Sequence, residues 1–292
     1  MLDELQMVAK AQHGAFSRAQ ALRHYSPGAI KGLLRSGRWQ AVLRGVYRES
    51  AVAAGPAMIV AAAGLSVGRR VIAVSHTAAT LHGFGYAGNE VVHIAVPGRL
   101  AVPCRPGLRV HVPELARHDV TEVDGLLVTT PVRTAVDVAR VCRPPLALAT
   151  LDGVVHLGLC GTTELSNEIH RQAGARGIVA VRELVEWVDG RAESPMESWT
   201  RWVLLDAGLP RPELQFPLCG GRYRLDIAWP WARVAVEYEG VDWHSGAEAL
   251  YRDRSRRNQL DDLGWAIVYA TAPEVTRTPH LLVTRVAQRL AQ

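Results

Sequence analysis

The sequence predicts an α+β chain of several domains, and three observations lead there. Its 292 residues exceed one average domain, and a hydrophobic content of 48% is enough for packed cores. The first fifty residues read helix, helix, helix, hairpin, which is the order of a winged helix-turn-helix. Near the other end, two alternating strands flank the turn signal Trp229-Pro230-Trp231-Ala232 between helical segments. We therefore expect a winged helix-turn-helix over 1–50, an α+β connector over 51–190 and an α/β domain over 191–292.

In the head, Leu2, Leu5, Val8 and Ala9 recur at helical spacing up to Gly14. Ser17 with Gln20 makes a capping box for a second short helix. Ser26 can cap a third, with Pro27 at its first position, so that Ile30, Leu33 and Leu34 face inward while Lys31 and Arg35 share the outer face. Arg38 to Arg48 alternates as a small hairpin, the wing, and Trp39 within it suits core packing. The head holds Lys10, Arg18, Arg23, Lys31, Arg35, Arg38, Arg44 and Arg48 against Asp3, Glu4 and Glu49, which accounts for the formal charge of +5 and leaves the rest near neutral. A basic module of this order suits duplex DNA, with Lys31 and Arg35 in the major groove and Arg38, Arg44 and Arg48 on phosphates. A protein-binding winged helix with incidental arginines fits the same pattern.

In the middle region, Ala51 to Gly68 carries no charge and reaches the lower length of a membrane helix. Its alanines and glycines, Pro56 and lack of aromatic anchors indicate a buried helix instead, so no membrane is expected. Val91 to Val96 and Leu108 to Val112 read as strands, and Thr134 to Val141 and Leu146 to Leu157 as helices. His76 and His82 are six apart, on different faces of a helix, and suit structural roles. Cys104, Cys142, Cys160 and Cys219 have no metal spacing, and the chain opens on charged residues, so we expect a cytoplasmic protein without disulfides or zinc.

Beyond a short helix at Val179 to Val188, Ser194-Pro195-Met196-Glu197 starts another, in which Glu197 is a first-turn acid favoured by the helix dipole. Tyr223 to Ala228 and Val234 to Glu239 form a hairpin. A turn centred between Pro230 and Trp231 puts Asp226 opposite Ala235 and diagonal to Glu237, with Glu239 on the same face. Three gathered carboxylates repel unless a cation lies between them, and hard oxygen ligands suit magnesium or manganese. The helix from Leu250 to Leu263 then sets Arg252 and Arg256 one turn apart, where they can clamp phosphates or pair with local acids. Thr278-Pro279 caps a closing helix.

Two resemblances accompany these readings. Phe16-Ser17-Arg18-Ala19-Gln20-Ala21, Leu33 to Trp39 and Arg44-Gly45-Val46-Tyr47 resemble the N-terminal domain of AbiEi-type antitoxins from type IV toxin-antitoxin systems. Ser75-His76-Thr77-Ala78-Ala79-Thr80-Leu81-His82-Gly83 and Thr129 to Asp137 resemble the segments beyond that domain, so the likeness spans roughly residues 5–160. It implies a transcriptional regulator with a cognate toxin as partner. Gly240-Val241-Asp242-Trp243-His244, Arg252-Asp253-Arg254, Leu263-Gly264-Trp265 and the strand Arg224 to Ile227 resemble very-short-patch repair endonucleases. That resemblance implies a restriction-endonuclease-like fold, a central mixed sheet flanked by helices, over roughly 193–292. It also implies that Asp226 binds metal, that Glu239 is an active-site side chain and that His244 assists phosphoryl chemistry, with Glu237 as second acid and Glu197 as the acid of the preceding helix.

The sequence departs from that superfamily at one point: Glu239 stands where a lysine is usual, and no lysine follows Lys31. Two functions are therefore expected as alternatives. One is a DNA-binding endonuclease that hydrolyses phosphodiesters with Mg2+ or Mn2+; the other is a non-enzymatic, antitoxin-like repressor on a degenerate nuclease fold.

Overall fold

Capping signals shape the head. Helix α1 (Asp3–Ala11) buries Leu5 and Ala9, and β1 (Phe16–Ser17) runs into α2 (Arg18–Ala21). At that junction the Ser17 hydroxyl accepts the Gln20 N–H at 3.2 Å, and the Gln20 side chain accepts the Ser17 N–H at 2.7 Å, satisfying two amides that a helix start leaves open. In α3 (Pro27–Arg35) the Ser26 hydroxyl takes the Ala29 N–H at 3.2 Å. Strands β2 (Trp39–Leu43) and β3 (Val46–Glu49) turn through Arg44 and a left-handed Gly45, and β3 lies between β1 and β2. Phe16, Trp39 and Tyr47 pack with ring centroids 4.7 to 6.3 Å apart, among Leu5, Ala9, Ala21 and Ile30, so Trp39 is a core residue.

This is a computed structural model that describes residues 2–85, 91–96, 106–240 and 247–292, with the backbone alone for 247–253. Its contacts divide the chain into two units, Met1–Val138 and Ala139–Gln292.

In the first unit the uncharged stretch forms α4 (Pro56–Val67), closed by left-handed Gly68. Met58, Val60, Ala62 and Ala63 of α4 share one core with Val42, Leu43 and Val46 of the head and with Ala73, Val92, Ile94 and Val128. Among the described residues no helix is long and apolar enough to cross a membrane. Next comes a five-stranded sheet, in the order β6-β5-β4-β8-β7. It comprises β4 (Ile72–Ala73), β5 (Val92–Ala95), β6 (Leu108–His111), β7 (Val120–Val123) and β8 (Leu126–Thr129), with α5 (Ser75–His82) between β4 and β5 and α6 (Pro131–Ala139) at the end. Arg133 of α6 is buried between Asp119, at 3.1 Å, and Asp137, at 2.8 Å. His82 donates to the Thr129 carbonyl at 2.7 Å, a structural contact.

The second unit opens with α7 (Pro144–His156), α8 (Thr162–Arg171) and α9 (Ile178–Leu184), followed by α10 (Pro195–Asp206). Its sheet has the order β12-β11-β10-β9, formed by β9 (Glu213–Leu218), β10 (Tyr223–Trp229), β11 (Val234–Glu239) and β12 (Ala266–Thr271). It is mixed, since β9, β10 and β11 are antiparallel and β12 runs parallel to β11. Helix α11 (Ala247–Asp262) precedes β12, and α12 (Ala272–Arg277) and α13 (Pro279–Leu290) come after it. Both faces are packed: Ile227, Trp229, Val234 and Val236 meet Leu204, Leu282 and Val286 on one, and Ala228 and Ala235 meet Leu260 and Trp265 on the other.

Two expectations change here. The hairpin turn is wider than a two-residue turn, with the Ala232 N–H on Trp229 O and the Arg233 N–H on Pro230 O, so Ala228 pairs with Ala235 and Ile227 with Val236. The pairing ends at Ile227 and Val236, and beyond it the Asp226 carboxylate accepts the Tyr238 N–H, so Asp226 does not lie opposite Ala235. The expected connector over 51–190 is also divided, because the unit boundary falls after Val138 and α7 packs with α10.

That packing centres on an ion pair. Arg201 and Asp152, 2% and 1% exposed, meet at 2.5 Å. Asp152 also accepts the Asp189 N–H at 2.8 Å, and Arg201 donates to the Trp187 carbonyl. Removing one partner strands the other charge in the core, so Asp152→Ala is expected to destabilise this unit by about 3–5 kcal/mol, whereas Asp152→Leu with Arg201→Met recovers most of the loss. Urea unfolding followed by tryptophan fluorescence tests this, because every tryptophan except Trp39 lies beyond residue 139. Equal midpoints for native chain and Asp152→Ala would contradict it.

Candidate functional site

The first candidate surface is the basic face of the head. Lys31 and Arg35 are both exposed and lie one turn apart on α3, as amphipathic spacing requires when Ile30 is buried. Arg38, after α3, and Arg44, at the hairpin turn, are exposed as well. Arg48 is placed differently: its guanidinium reaches Gln40 at 2.5 Å and the carbonyls of Glu49 and Val52, which ties it into the hairpin.

The second candidate is the acidic part of the β10–β11 hairpin. Asp226 accepts the Tyr238 N–H at 3.1 Å, and burial pushes its carboxyl above the ordinary aspartate range. Glu197 is buried in the first turn of α10, where the Ser194 hydroxyl caps its N–H at 3.1 Å. Its carboxylate accepts from the Glu193 N–H at 3.0 Å and from Gln215 at 2.9 Å, and burial, reinforced by the charge of Asp226, raises its pKa too. The structure thus brings Glu197 and Asp226 near enough for the charge of Asp226 to act on Glu197.

The other two acids carry arginine counter-ions. Glu237, 6% exposed, meets Arg256 at 2.6 Å, and the same guanidinium donates to the Arg224 carbonyl at 3.1 Å. Glu239 pairs with Arg257, whose guanidinium lies 4.0 Å from the ring centroid of Tyr269. Arg256 is therefore engaged by an acid of β11, where its sequence spacing suggested either a phosphate clamp or pairing with local acids. His244 and the side chain of Arg252 lie outside the described residues. Among the described residues no group of three or more His, Cys, Asp or Glu side chains is placed to hold a metal ion. As placed, Glu237 and Glu239 do not fit a magnesium or manganese centre, because each already carries guanidinium charge where the cation would be needed. Sequence spacing alone could not find the Arg256 and Arg257 pairs, since each crosses from α11 to β11. The absence of any lysine beyond Lys31 was the available hint.

The raised carboxyl of Asp226 has a pH consequence. The unfolded chain releases this proton at lower pH than the folded chain, so the contribution is most favourable where both states are protonated and declines as pH rises toward the raised value. Asp226→Asn keeps an acceptor for the Tyr238 N–H without the buried charge. In EDTA near neutral pH it is expected to melt at or above the native temperature, with the difference closing toward about pH 4. A lower melting temperature for Asp226→Asn near neutral pH would show that the ionised carboxylate stabilises the fold.

Comparison with known proteins adds lineage to this geometry. Residues 71–187 match the family model of the AbiEi antitoxin C-terminal domain, so the match lies over the middle of the chain and ends before α10 and the acidic strands. Two uncharacterized proteins of Mycobacterium tuberculosis, MT2308 and Rv2248, are each 44% identical over 235 residues, which take in 79% of this chain and 85% of each relative. The chain belongs to the same family as these two mycobacterial proteins, and its middle region is similar to the AbiEi antitoxin C-terminal domain.

Proposed function

We propose that the chain is a DNA-binding regulator of antitoxin type, in which the N-terminal winged helix-turn-helix engages duplex DNA and a cognate toxin is a further partner, in a cytoplasmic setting. The observation that carries this reading is the pair Lys31 and Arg35, exposed one turn apart on a capped α3, beside the exposed Arg38 and Arg44. The similarity of residues 71–187 to an antitoxin domain supports it. In this reading the mixed sheet of the second unit is a restriction-endonuclease-like scaffold, and Arg256 and Arg257 neutralise the acids that a nuclease would offer to a metal.

A second reading, a Mg2+- or Mn2+-dependent DNA endonuclease, is favoured by one observation: the buried Glu197 carboxylate feels the charge of the half-buried Asp226, and both carboxyls are raised above their ordinary range. It requires that Glu237 and Glu239 exchange their arginines for a cation.

Gel retardation tests the DNA-binding face, and plasmid cleavage separates the two readings. Lys31→Ala and Arg35→Ala are each expected to weaken binding to DNA from upstream of the chain's own gene by about 1–3 kcal/mol, with loss of sequence discrimination. Arg38→Ala and Arg44→Ala are expected to weaken binding evenly across sequences and to lower the salt slope by about 1 each. Supercoiled plasmid with magnesium or manganese is expected to stay intact. Nicking that Asp226→Ala abolishes would establish the endonuclease in place of the regulator.

A further inference from the structure

Within the first unit a cavity of about 490 Å³ opens between the head, α4 and the β7–β8 turn. Its volume lies in the range of small-molecule sites. Ala61 and Leu65 of α4 and Leu127 of β8 supply an apolar wall, and Arg69 and Arg70 line it from the turn after α4. Arg70 reaches Glu122 at 2.5 Å and the Gly125 carbonyl at 3.0 Å, so it is held in place.

The head closes one side. His13 donates through Nε2 to the Asp124 carbonyl at 3.0 Å, and both residues line the cavity. Asp124, at φ 47°, and Gly125, at φ 80°, form the two-residue turn between β7 and β8, and His13, at φ 56°, stands in the turn after α1. Glu122 balances Arg70, so Arg69, which has no ion pair among the described residues, is the arginine of the lining that is left to meet an anion.

We propose that this cavity is an effector site for a small organic anion, whose apolar body packs on Ala61, Leu65 and Leu127 and whose acidic group meets Arg69. Occupation alters the seat of the head on α4 and thereby its affinity for DNA. The regulatory half rests on the DNA-binding reading; the site itself does not.

Anilinonaphthalene sulfonate, an apolar body bearing one acidic group, is a suitable probe for the full-length chain. Fluorescence titration is expected to show one saturable site per chain. Ala61→Trp, which fills the cavity, is expected to abolish it with the circular dichroism spectrum unchanged. Arg69→Glu, at an exposed position that leaves the core intact, is expected to weaken it at least about tenfold. Native-like titration of both variants overturns the site, as does native-like titration of Arg69→Glu alone should Ala61→Trp fail to fold. Saturating probe is expected to shift the midpoint of DNA retardation, and DNA to shift the probe midpoint by the same factor. Probe bound at the cavity with the DNA midpoint unmoved overturns the coupling. A chain that binds probe but no DNA overturns the regulator reading and leaves the site standing.

Discussion

The pairing of buried arginine with aspartate organises each unit of this chain. In the second, Arg201 and Asp152 join α10 to α7, and Asp152 accepts the Asp189 N–H while Arg201 donates to the Trp187 carbonyl. Guanidinium has the donors to satisfy several acceptors at once, which is what a charge in an apolar interior requires. The position of α10 depends on that joint, and with it the place of Glu197 and the apolar support that Leu204 gives to β10 and β11. In the first unit Arg133 performs the same task with Asp119 and Asp137, immediately after β8. The Thr129 to Asp137 motif therefore has a structural reason: it delivers the arginine and one of its acids.

The same chemistry decides how the acidic hairpin is read. Carboxylates on adjacent strands need positive charge, and two sources are available to a protein: a divalent cation or arginines from a neighbouring element. Here α11 supplies the arginines to Glu237 and Glu239, while Asp226 and Glu197 rely on backbone and amide donors and remain reluctant to ionise. A face balanced in this way has little field left to attract a hard cation. The proposed regulator reading rests on that balance.

The head shares its packing with the rest of the first unit. Val42, Leu43 and Val46 enter the core built on α4, so the seat of the head depends on packing against Met58, Val60, Ala62 and Ala63. An uncharged, alanine-rich helix suits this place, since small side chains allow strands and helices to approach from several sides. It also leaves room for a cavity where the contacts are not complete.

By itself the sequence determined the elements that carry local signals. The Ser17 and Ser26 caps, the alternation of β10 and β11, the proline starts of α4, α10 and α13, and the outer-face placement of Lys31 and Arg35 were all legible, because each depends on residues within a turn or a strand of one another. Strands β4 and β7–β9 carried no comparable signal; β4 has two residues and takes its shape from Ala95 and Ile94 on one side and Leu127 and Val128 on the other. The register of the hairpin, the division after Val138 and the counter-ions of Glu237 and Glu239 were decided only by the tertiary structure. Each depends on a turn width or on a side chain from another element, and Coulomb interactions between α11 and β11 depend on distance in space, to which spacing along the chain is blind.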